Sequence, residues 1–312
     1  MSFWSSVTHL AVLACACGAA MLIGHGCSAP HGGTIAPEAN SRSPAHYEDG
    51  TKDDSRSAAR YEEATQLFEA GQHDVALQKF GLITKEDPSY WKGWYGMAVV
   101  LVKLERYEAA LEPIEKAVQL AKTDANAWQV LGMVYMKLGR LNEAQKALDQ
   151  SNDLGHGQLA ETWYAKGAVL VSTERYQDAI DCFNRAIVID PSHLNAWYNK
   201  GIAWNKLSDN VEALECLNEA VRIMPTHARS WEAMGLIYAK DNVYDKSVLC
   251  FEKVVALESG NKRGWYYKGA ALYRIERIAE AIEALEKAAA LGEARAESLL
   301  QDIRKQKQGN AL

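Results

Sequence analysis

The sequence predicts an all-α fold, an α-solenoid of stacked helix-turn-helix units. Two observations carry this. A pattern of Trp, Gly, Ala, Phe or Leu, and Pro recurs at a fixed period of 34 residues. Within each period the apolar positions fall on one face of two successive helices. At 48% hydrophobic and 24% charged residues the 312-residue chain has ample apolar surface for a large core. A repeat array also escapes the usual size limit on one compact domain, because each unit touches only its neighbours.

Residues 160–193 show the unit plainly. Trp163, Gly167 and Leu170 share one face of a first helix, Ala179, Phe183 and Ala186 one face of a second, and Pro191 closes the unit. Seven such units follow one another: 57–90, 91–124, 125–159, 160–193, 194–227, 228–261 and 262–295. The small residue at position 8 and the alanine at position 20 let the paired helices approach closely, and the Trp and Phe/Leu positions fill the volume between pairs. The first unit is the most worn, with Arg60 and Ala64 in place of Trp and Gly, as suits a unit whose outer face meets water. After the seventh, residues 296–312 carry Leu299, Leu300 and Ile303 at helical spacing and read as a capping helix and tail.

Two irregularities stand out. The third unit has 35 residues and ends in Ser-Asn-Asp-Leu-Gly-His-Gly rather than a proline. Gly155 is expected to end its second helix in a left-handed conformation, with a break in the stacking of units three and four. Pro113 lies inside the second helix of unit two, where it removes one backbone bond and is expected to bend the helix.

The pattern W-x2-L-G-x2-Y, then A-x3-F, then P, over 34 residues, resembles the tetratricopeptide repeat family across residues 57–295. The resemblance implies that the first helices line a concave groove into which positions 2, 5, 9 and 12 point, and that the last helix is the family's solvating C-terminal helix. Position 5 then reads Tyr61, Tyr95, Gln129, Tyr164, Tyr198, Glu232 and Tyr266. Positions 9 and 12 add Met133, Ile202, Asn205 and Tyr273, and Arg229 and Arg263 stand along one edge. Family members that grip a terminal carboxylate use Lys and Asn at positions 5 and 9, a pair that no unit here carries. The expected partner site is therefore a tyrosine ladder flanked by aliphatic residues: Tyr95, Gln129, Met133, Tyr164, Tyr198, Ile202, Asn205, Glu232, Tyr266 and Tyr273. Tyrosine supplies large contact area and a hydroxyl at little entropic cost, which suits a protein or peptide partner. A second reading is a carrier or accessory protein beside a transporter, binding a small hydrophobic ligand with Met133, Met136 and Ile202.

Residues 1–26 contain no Asp, Glu, Lys or Arg, and 10–23 form a small and apolar run, too short for a comfortable membrane span. Gly24-His25-Gly26-Cys27-Ser28 resembles a bacterial lipoprotein signal, which implies an acyl anchor at Cys27 and a place at the cell envelope, facing the periplasm or exterior. Residues 27–56 are rich in Pro, Gly, Ser and charge and read as a disordered tether. A coil of that length spans on the order of 30 Å.

Other chemistries find no support. A net charge of −6 argues against a nucleic-acid partner. There is no Gly-rich phosphate loop, HExxH or GxSxG, and the eight histidines form no metal motif, so no enzyme, cofactor or metal is expected. Cys182, Cys216 and Cys250 recur every 34 residues. Equivalent positions in stacked repeats lie about 10 Å apart, beyond the roughly 7 Å that a disulfide bridges, so they read as buried fillers.

Overall fold

The computed structural model describes residues 51–309, with side chains from 55 to 305. The apolar leader, Cys27 and the tether up to Gly50 lie outside the described residues. Within them the chain is a succession of fifteen α-helices. Repeat one is α1 (Thr51–Glu69) and α2 (His73–Glu86), and repeat two is α3 (Trp91–Lys103) and α4 (Tyr107–Leu120). Repeat three is α5 (Ala125–Lys137) and α6 (Leu141–Leu154), and repeat four is α7 (Ala160–Ser172) and α8 (Tyr176–Ile189). Then come α9 (Leu194–Lys206) and α10 (Asn210–Ile223), α11 (Ala228–Lys240) and α12 (Tyr244–Leu257), α13 (Lys262–Arg274) and α14 (Ile278–Ala290), and lastly α15 (Ala294–Gly309).

The chain divides into two compact units between Leu154 and Gly155, within the segment where the repeat loses its proline. The first unit holds repeats one to three, and the second holds repeats four to seven with α15. In each, the core lies between paired helices. Gly167 packs on the fully buried Phe183, so closely that a Cβ would stand 2.5 Å from the ring. The same fit recurs as Gly132 on Leu148 in the first unit and Gly201 on Leu217 in the second. The close approach of first to second helix in each pair depends on that missing side chain. Helix α15 buries Ala296, Leu300 and Ile303 against Leu285 and Ala288, which ends the stack on a helix whose other face meets water.

Every first helix stops by the same device. The residue at position 15 of each repeat is left-handed: Gly71, Glu105, Gly139, Glu174, Ser208, Asn242 and Glu276, with φ between 57° and 77°. In repeat four the Glu174 amide donates to the Val171 carbonyl at 3.0 Å and the Arg175 amide to the Leu170 carbonyl at 2.9 Å. These are the two bonds of a Schellman turn.

Two expectations are corrected. Helix α1 begins at Thr51, so 51–56, assigned to the tether, are helical. The Ser57 hydroxyl fastens the helix by donating to Asp87 at 3.0 Å. Gly155 is not the left-handed residue after α6. His156 (φ 50°) and Gly157 (φ 67°) are, and the Gln158 amide closes on the Gly155 carbonyl at 3.0 Å. Two successive positive φ values make a primed turn, which glycine and a tolerant polar residue allow. Helix α4 runs as one element through Pro113, which is buried in it.

Candidate partner-binding groove

The indole of each position-4 tryptophan anchors the turn before its helix. Trp163 donates to Gly157, Trp197 to Pro191 and Trp231 to Pro225, each to a carbonyl six residues back at 2.9–3.0 Å. Lysines at position 7 lie over two of these rings, Lys166 at 5.4 Å from Trp163 and Lys200 at 5.2 Å from Trp197. With the indole held on the turn, the neighbouring position 5 is turned toward the next repeat.

The tyrosine ladder is not uniform. Tyr95, Gln129 and Met133 in the first unit and Tyr164 in the second are buried, and so present little surface to a partner. Tyr198, Ile202, Asn205, Glu232, Tyr266 and Tyr273 are half-buried. The residue facing each tyrosine from the next repeat explains the difference within the second unit. Asn199 donates its Nδ2 to the Tyr164 hydroxyl at 3.3 Å, and the His193 ring lies 5.0 Å from the Tyr164 ring. Burial pushes the Tyr164 phenol far above its usual range. His193 is itself held as the N-cap of α9, accepting from the Ala196 amide at 3.2 Å on Nδ1. Its Nε2 stands 3.3 Å from Glu161 Oε1, without hydrogen-bond alignment. One repeat later, the residue equivalent to Asn199 is Ala233. Its methyl group can make no hydrogen bond to the Tyr198 hydroxyl.

A cleft of about 410 Å³ opens beside Tyr198. Ile202, Ala233, Leu236 and Ile237 form its apolar floor, with Asn205 and Glu232 on the walls and Arg229, Lys240 and Arg263 around the rim. Arg263 pairs with Glu232 at 3.2 Å, whereas neither Arg229 nor Lys240 has a carboxylate partner among the described residues. The His227 ring meets Tyr198 edge-on at 5.3 Å, and burial together with the Arg229 charge lowers its pKa. At the seventh repeat the ladder is closed off, because Arg295 of α15 lies over the Tyr266 ring at 4.5 Å.

In the first unit a cleft of about 620 Å³ lies between α4, α5 and α6, walled by Trp128 and Tyr135. There Tyr135 donates to Glu115 at 2.8 Å, and burial followed by that bond raises its pKa to about 12. Position counting placed Arg229, Glu232, Leu236 and Arg263 along the groove. It missed Lys240, Ala233 and Ile237, which lie outside the four positions counted, and His193, whose only sequence signal is its recurrence with His227 at the inter-repeat turn. The three repeated thiols are buried and free, and burial raises each pKa to about 11, so they are protonated and unreactive at neutral pH. The described residues contain no group of three or more His, Cys, Asp or Glu able to hold a metal, and no helix long and apolar enough to cross a membrane.

Stacked helix pairs, each closed by the same turn and, from repeat two onward, tied by the same indole, define a helical-repeat protein. Tetratricopeptide repeat profiles match residues 61–125, 101–168, 160–193 and 232–297. The chain belongs to the tetratricopeptide repeat family, whose fold serves chiefly in protein–protein interaction. It is 23% identical over 135 residues to a TPR repeat-containing protein of Methanocaldococcus jannaschii, MJ1428, a match spanning 43% of this chain and 24% of that protein. Among solved structures it resembles a chain of the APC/C hetero-tetramer Cut9-Hcn1 (TM-score 0.63, 19% identity, 69% of this chain and 43% of that one). It also resembles pilF of Pseudomonas aeruginosa (TM-score 0.60, 15% identity, 70% of this chain and 98% of that one). A tetratricopeptide repeat protein of Parabacteroides merdae is similar too (TM-score 0.56, 14% identity, 80% and 98%). At these identities the likeness speaks to the fold alone.

Proposed function

We propose that this protein is a non-enzymatic scaffold that holds a protein or peptide partner in the cleft beside Tyr198, and that an acyl group on Cys27 anchors it at a bacterial cell envelope. One observation supports the binding site above others. The cleft is built from the groove positions of repeats five and six, Tyr198, Ile202, Asn205 and Glu232, and these stay accessible where Tyr95, Gln129, Met133 and Tyr164 are buried. Half-exposed aromatic and aliphatic side chains beside unpaired cations give a partner both apolar area and hydrogen-bond donors. Tyr273 continues the same face toward α15, where Arg295 covers Tyr266. The carrier reading rests on Met133 and Met136 in one compact unit and Ile202 in the other, and no observation favours it. The anchor rests on the leader's resemblance to a lipoprotein signal, and metabolic fatty-acid labelling that persists in Cys27→Ala would remove it.

Affinity capture from native envelopes with the full chain as bait tests the site. Tyr198→Ala/Ile202→Ala, with unchanged circular dichroism, is expected to lose the captured partner. Ala233→Asn, which supplies at this cleft the side chain that covers Tyr164, is expected to weaken capture as well. An unchanged set of partners with both variants would exclude the cleft.

A further inference from the structure

The cleft's charge and length say more about its occupant. We infer that it takes an extended acidic peptide segment, with two carboxylates about five residues apart and aliphatic side chains between them. The inference rests on the reading of this cleft as the partner site. The floor of Ile202, Leu236 and Ile237 is apolar, whereas Arg229, Lys240 and Arg263 stand at the rim. Glu232 is the one carboxylate in the lining, and it is engaged by Arg263 at 3.2 Å. The rim therefore offers Arg229 and Lys240 as cations with no carboxylate of the chain to satisfy them among the described residues. This local excess of positive charge stands in a chain of net charge −6, so it is a feature of the cleft and not of the surface at large.

Spacing converts that charge into a length. Arg229 lies in the first turn of α11 and Lys240 ends it, eleven residues apart. At 1.5 Å per residue of helix the two stations are about 16 Å apart. An extended peptide rises about 3.3 Å per residue, so the span fits about five residues. Alternate side chains of such a strand point to the floor, where aliphatic groups would cover Ile202 and Leu236. Cations at both ends set the register, and the apolar floor supplies the contact area.

Selection from a random peptide library displayed on phage, with the full chain immobilised, reads the preference directly. The expected enriched sequences carry two Asp or Glu residues four to six positions apart with Leu, Ile or Val between. A synthetic copy of the best of them, followed by fluorescence anisotropy, should bind about fivefold more weakly to Arg229→Gln or to Lys240→Gln. Arg229→Glu/Lys240→Glu should turn the selection toward basic peptides. Enrichment of neutral or basic peptides by the unaltered protein overturns the inference, and so does displacement by heparin as readily as by the peptide, which would reduce the effect to general charge attraction. The two readings separate cleanly. Neutral peptides that still lose binding in Tyr198→Ala/Ile202→Ala overturn the acidic class and leave the cleft as the partner site. Peptides indifferent to all four positions overturn both.

Discussion

The Trp163 indole donates its Nε1 hydrogen to the carbonyl oxygen of Gly157, 2.9 Å away and six residues earlier. Trp94 makes the same bond to Pro88 at 3.0 Å, Trp128 to Lys122 at 2.8 Å and Trp265 to Ser259 at 2.9 Å. The acceptor is always main chain, so the bond tolerates Pro, Lys, Ser or Gly at that place. It survives even after the third repeat, where the turn has one more residue and is folded through left-handed His156 and Gly157. Tryptophan at position 4 is thus a tie to the preceding turn as well as a filler between helices.

Trp163→Phe keeps most of the ring and removes the donor. Loss of one hydrogen bond of this kind costs about 1 kcal/mol. A lower denaturant midpoint at unchanged slope is the expected result, with a similar drop for Trp94→Phe in the first unit. If neither midpoint moves, the indole bond contributes nothing to stability.

Gly167→Ala brings a Cβ to 2.5 Å from Phe183 and must push the two helices of repeat four apart. Overpacking of this size costs about 1–3 kcal/mol. Repeat two already pairs Ala98 with Ile114 at the same two positions. Gly167→Ala should therefore cost less in a Phe183→Ile background, and a double-mutant cycle of chemical unfolding measures the coupling. Equal costs in the two backgrounds would mean that the contact is not the cause.

Glu174 holds φ at 59°, a conformation that strains a side chain and not glycine. Gly71 and Gly139 meet the same demand without strain. Glu174→Gly should raise stability by about 0.5–1 kcal/mol, and Gly139→Ala should lower it by a similar amount. Opposite shifts of the unfolding midpoint check both, and a loss in Glu174→Gly would contradict the turn mechanism.

His227 has its pKa lowered from 6.5 by burial first and the Arg229 charge second. The unfolded chain then binds the proton more readily than the folded one, so stability falls as pH drops below about 6.5 and through the lowered folded value. Replacing it by Gln should flatten the stability profile between neutral pH and about pH 5. A slope of the same steepness in His227→Gln would assign it to another group.

The helix pairs, the capping helix and the close contacts of position 8 were legible in the sequence because each depends on short-range spacing. A 3.6-residue period, a small residue opposite a large one and a turn every 34 residues are local facts, and stacking couples only adjacent units. Helix boundaries were less so, as α1 shows by including residues 51–56. The candidate binding face was legible only as a row of positions. Tyr164 and Tyr198 occupy the same place in consecutive repeats, and each has a histidine at the following turn, yet one is buried and the other borders an open cleft. The tertiary structure decided between them through the residue facing each from the next first helix. Asn199 reaches the Tyr164 hydroxyl, and Ala233 has no polar group to offer Tyr198. Burial is the sum of what neighbours bring across a helix interface, and one side chain there decides whether the surface is closed or left open.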